Sequence, residues 1–63
     1  MRKFEVVAKI GKRTLTEIIR DFNRQELYDM AQSFDRNVVH LEKESVRSIA
    51  IYVYDQCQIV RNG

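Results

Sequence analysis

Proline is absent from this chain, glycine occurs twice and cysteine once. Each scarcity closes off a class of protein. With no proline, no low-complexity stretch and no internal repeat, nothing marks a linker, so residues 1–63 read as one compact domain. The single cysteine, Cys57, cannot close an internal disulfide. Together with the single histidine, His40, it falls short of the several ligands a structural metal site requires. Gly11 alone cannot build the multi-glycine cradle of a nucleotide loop. No long apolar run is present, and the stretch after Met1 is charged, so neither a signal peptide nor a membrane span is expected. The unpaired cysteine fits a reducing, cytoplasmic setting.

What is present describes a folded domain in need of support. A hydrophobic fraction of 44% with 32% charged residues is that of a globular chain rather than a disordered one. A domain this short buries only roughly 60% of the surface its unfolded chain exposes, so association is a natural source of extra stability. The net charge of +2 is too small to imply a nucleic-acid partner by itself. Its distribution says more. Residues 1–20 hold Arg2, Lys3, Lys9, Lys12, Arg13 and Arg20 against Glu5 and Glu17, whereas residues 21–44 lean acidic through Asp21, Glu26, Asp29, Asp35, Glu42 and Glu44.

Apolar periodicity supplies the elements. KFEVVAKI (3–10) alternates and predicts a strand, followed by a hairpin turn at Gly11. TLTEIIRDF (14–22) is ambiguous. Thr14 and Glu17 have the spacing of a helix-opening capping box, but the run is rich in Thr and Ile and a second box, Asn23 with Glu26, follows directly. A second strand is the preferred reading. From Asn23 a helix is predicted, with Leu27, Met30, Ala31 and Phe34 as its apolar stripe and its end near 35–37. VVHL (38–41) suits a short strand and EKES a polar turn. The run from Val46 to about Tyr54, which holds most of SIAIYVYD (48–55), is the strongest strand pattern in the chain, and CQIV (57–60) could extend it or form a separate tail.

The expected fold is therefore α+β: a small two-layer domain, β-β-α-β or β-β-α-β-β, with an antiparallel sheet of three or four strands and one helix on one face. Phe4, Val6, Ile10, Leu27, Met30, Phe34, Ile49, Ile51 and Val53 would form its core. Both faces of SIAIYVYD are apolar, however, and one helix covers only one. The outer face would carry Val7, either Ile18 or Ile19 (Ile19 in the arrangement adopted), Tyr52 and Tyr54, rimmed by Lys3, Lys9 and Glu5. A contiguous patch of this kind marks an interaction site, and tyrosine suits one.

Function follows as an expectation from that surface. The leading reading is a small non-enzymatic protein-interaction module using the sheet face, with a protein partner or a second copy of itself. In size and general character the chain is similar to accessory proteins of phages and mobile elements, many of which bind and inhibit or modulate a host or defence protein. One alternative is a nucleic-acid-binding module whose phosphate contacts are Lys12, Arg13, Arg20 and Arg47. A self-associating structural subunit is the other. No catalytic residue, metal, cofactor or small-molecule substrate is expected: Asp21 and Asp55 are far apart in sequence without a pocket, His40 has no acid or nucleophile beside it, and Cys57 reads as a core residue.

Overall fold

The computed structural model describes residues 2–63, and among them every regular element is helical. Helix α1 spans Arg2–Ile10, α2 Leu15–Asp21, α3 Arg24–Gln32 and α4 Val46–Asn62; a 3₁₀ helix covers Val38–Lys43 between α3 and α4. The α+β expectation is overturned: the described residues contain no strand, no hairpin and no sheet. None of the described helices is long and apolar enough to cross a membrane.

The error is clearest at SIAIYVYD, which lies inside α4. Wound at 3.6 residues per turn, the segment buries Ile49, Ala50, Val53 and Cys57, spaced i, i+1, i+4 and i+8. Ile51, which a strand would place beside Ile49 and Val53, is 38% exposed. The second apolar face that needed a cover therefore does not exist. Val, Ile and Tyr cost a helix a few tenths of a kcal/mol each, whereas burying one large aliphatic side chain returns about 1.5–3 kcal/mol, so packing decides the outcome. Ser45 starts the helix, its side-chain oxygen accepting the Ser48 amide.

Both capping boxes flanking the ambiguous segment are formed. The Thr14 hydroxyl accepts from the Glu17 amide while the Glu17 carboxylate accepts from the Thr14 amide, and Asn23 and Glu26 repeat the exchange at α3. Two helices starting nine residues apart need a break, and Phe22 supplies it with extended backbone (φ −121°, ψ 139°). The helix read from Asn23 is observed, though it stops at Gln32. Gly11, expected in a hairpin, ends α1 instead; its φ of +58° lies in the left-handed region, and its amide donates to the Val7 carbonyl.

One core runs through all of these elements. Helices α1, α2 and α3 each pack on α4, and the 3₁₀ helix adds Val38 and Leu41 beneath α3. Among the described residues no polar or charged side chain is buried. Of the expected core, Phe4 is instead 53% exposed, while Ile18 and Phe22 of the α2 segment are buried.

Helix and strand make opposite claims about neighbouring isoleucines. Ile49→Ala should cost about 2–5 kcal/mol and Ile51→Ala about 1 kcal/mol or less. Urea unfolding followed by far-ultraviolet circular dichroism measures both. Equal losses would return the segment to a strand.

Candidate functional site

The proposed sheet-face site is dispersed by the helical fold. Tyr52 and Tyr54 share one side of a strand, but two residues along a helix are about 200° apart, so they leave α4 on opposite flanks. Val7, Ile19, Tyr52 and Tyr54 are half-buried side chains packed against the core. Burial, with the Asp35 charge as a smaller contribution, pushes the Tyr52 phenol above its ordinary range. Lys3 lies with its Nζ 5.6 Å from the ring centre of its neighbour Phe4, and Lys9 turns elsewhere, toward Phe22. The sheet face that was to join these six residues is absent.

The basic residues fare differently. Lys9 closes α1, Lys12 and Arg13 form the connection to α2, and Arg20 lies in the last turn of α2. Phe22 and Asp21 tie them together. Lys9 Nζ and Arg13 Cζ stand 5.6 Å and 5.4 Å from the centre of the Phe22 ring, which is buried and offers its face to both cations. The Asp21 carboxylate accepts from the Arg13 guanidinium and, at 2.9 Å, from Arg20 Nε. Arg61, at the end of α4, donates to the Gly11 carbonyl. Lys9, Arg13, Arg20 and Arg61 are thus linked through Phe22, Asp21 and Gly11, with Lys12 exposed in the same connection.

Those contacts set the local electrostatics. The hydrogen bond from Arg20 holds the Asp21 carboxyl below its ordinary value, with Arg13 contributing, and the same bond raises the Arg20 guanidinium. Glu17 is held low first by its hydrogen bond from the Thr14 amide. Asp21 and Glu17 are the carboxylates held low beside these cations, and Lys9 also lines a groove with Glu5, Glu26 and Asp29, in a molecule whose total charge is +2.

Lys12, Arg13 and Arg20, three of the four cations singled out in the sequence, are brought together here. Arg47 is not. It stands exposed on the first turn of α4, at the opposite end of that helix from Arg61, roughly 20 Å away at 1.5 Å per residue. Arg61 was missed because its contact with Gly11 spans most of the chain and leaves no local pattern.

The remaining candidates are structural or open to solvent. Cys57 is fully buried, and burial pushes its thiol up, away from nucleophilic reactivity. His40 is exposed, its Nδ1 3.0 Å from the Asn37 carbonyl oxygen. Among the described residues no group of three or more His, Cys, Asp or Glu is placed to hold a metal ion. A groove of about 260 Å³ between α1 and α3 is lined by Arg2, Glu5, Lys9, Glu26 and Asp29 over Val6 and Met30. A second, of about 310 Å³, lies among Arg24, Gln25, Tyr28 and Glu42. Both are shallow and of mixed charge, at or below the lower end of the usual size of ligand pockets. No family model matches the chain, and comparison with the curated proteins and with the solved structures found no match.

A carboxyl held low in the folded state contributes stability that is complete above its unfolded value, 3.8 for Asp, and is lost as pH falls through the lowered one. Asp21→Asn should therefore destabilise the protein at about pH 7 and converge with the wild type by about pH 2. Urea midpoints at the two pH values measure the convergence. A gap that persists in acid would show that ion pairing is not its source.

Proposed function

We propose that this protein is a small binding module that docks on a negatively charged macromolecule through the cationic end of its fold. What supports the reading is one observation: Lys9, Arg13, Arg20 and Arg61, from three helices and a connection, contact Phe22, Asp21 or the Gly11 carbonyl, and exposed Lys12 follows Gly11 in the same connection. Exposed like charges are ordinarily spread over a small domain, since crowding them costs self-repulsion that a partner would relieve. Such a module acts by occupying its partner, the mode of an inhibitor or modulator.

A second reading keeps the apolar protein–protein contact, on other residues than the sheet face supplied. Ile51 and Ile59 are 38% and 61% exposed on the outward side of α4, about 12 Å apart along the axis. Asp55 lies between them and breaks the stripe, and the other large exposed apolar residues, Phe4 and Val39, belong to different elements. Scattered apolar residues are normal on a soluble surface, which makes this the weaker reading.

The test separates location of charge from amount of charge. Lys9→Gln with Lys12→Gln lowers the formal net charge from +2 to zero, and so does Lys3→Gln with Lys43→Gln. In affinity capture from native lysate at low salt, the first pair should lose the bound macromolecule, protein or nucleic acid, that the second pair keeps. Circular dichroism would establish that both variants fold. Equal retention by the two pairs, or equal loss, would sink the cationic end as the contact surface.

A further inference from the structure

We infer that the macromolecule met by the cationic end is nucleic acid, gripped by its phosphate backbone without reading of sequence. The inference rests on the reading above and adds the class of partner.

The argument turns on what accompanies the charges. A protein–protein interface needs a desolvated centre with apolar or aromatic anchors inside a polar rim. The cationic end offers no cluster of them. Ile10, Ile18 and Phe22 are committed to the core at 1%, 0% and 8% exposure, Leu15 and Ile19 are half-buried against it, and Ile59, 61% exposed in the last turn of α4 with Arg61, is a single side chain rather than an anchored patch. Phe4, Val39 and Ile51, the other exposed large apolar side chains, make none of the contacts that hold Lys9, Arg13, Arg20 and Arg61. A phosphate backbone asks for no such anchor: cations displacing condensed counterions suffice to bind it, and three of the five here are guanidinium groups, whose planar donors match phosphate oxygens.

The same features exclude base readout. The one ring within the cluster, Phe22, is buried, so no base can stack on it. Two of the three guanidinium groups are steadied by Asp21 and the third by a backbone carbonyl, which suits positioning against a backbone rather than reach into a groove. Lys9 and Lys12, exposed and without an ion pair among the described residues, are the freest to meet phosphate.

The experiment measures fluorescence anisotropy of two labelled 20-base-pair duplexes of unrelated sequence, titrated with the full chain at several salt concentrations. With about three phosphates neutralised, log K should fall against log salt with a slope of about −3, an affinity loss of about 60-fold between 50 and 200 mM. The two duplexes should bind alike. Lys9→Gln with Lys12→Gln should bring the slope to about −1, whereas Lys3→Gln with Lys43→Gln should leave it near −3. Binding that the first pair does not weaken, or a preference for one duplex, would overturn the inference. A labelled polyglutamate run in parallel separates the two levels. If it binds through Lys9 and Lys12 while the duplexes do not, the nucleic-acid assignment fails and the cationic end stands; if neither polyanion binds, both fail.

Discussion

Everything in this fold depends on the buried stripe of α4. Helices α1, α2 and α3 each pack on it, so Ile49, Ala50, Val53 and Cys57 are the side chains around which the other elements are arranged. This hub explains how so short a chain forms a core at all. One 17-residue helix gives three short ones a common wall, and none of the three is long enough to be stable alone in water. It also explains why no polar side chain is buried among the described residues: with a single apolar wall, every one of them has a route outward.

The local signals and the periodic signals in the sequence disagreed, and the local ones were right. Thr14 with Glu17 and Asn23 with Glu26 each form a reciprocal hydrogen-bonded pair that exists only at a helix start, so two boxes in succession meant two helices. The preference for a strand over 14–22 came from its β-branched residues, a weak term that tertiary packing overrides. SIAIYVYD misled for a geometric reason. When almost every position is apolar, alternation is satisfied trivially, and a helical stripe is satisfied equally well. The arbiter was length. The helical stripe runs from Val46 through Cys57 to Val60, all buried or half-buried, a span of 15 residues that a single strand in so small a domain would not fill. A strand would have ended long before.

The candidate site was legible in its charges and illegible in its assembly. The concentration of cations in residues 1–20 is plain, and three of the four singled out do converge. Arg47 is not among them, because α4 carries it to the far end of the helix from Arg61. Arg61 could be added only once the end of α4 was known to reach the end of α1. The tyrosine site failed with the sheet, since the period that put Tyr52 and Tyr54 on one face was the wrong one.

The convergence of cations has a competing local cause, and the two can be told apart residue by residue. Lys9, Arg20 and Arg61 lie in the last turns of α1, α2 and α4, where the carbonyl end of a helix favours positive charge by about 0.3–1 kcal/mol. Fold stability alone would select those three. Arg13 also has structural work, bridging Asp21 and covering Phe22. Lys12 has none. It lies outside any helix, is exposed, and has no ion pair or ring contact among the described residues. Folding does not account for a charge at that position beside four others, since it adds repulsion and no internal contact. A partner that supplies negative charge does account for it, and Lys12 is therefore the residue on which the functional reading turns.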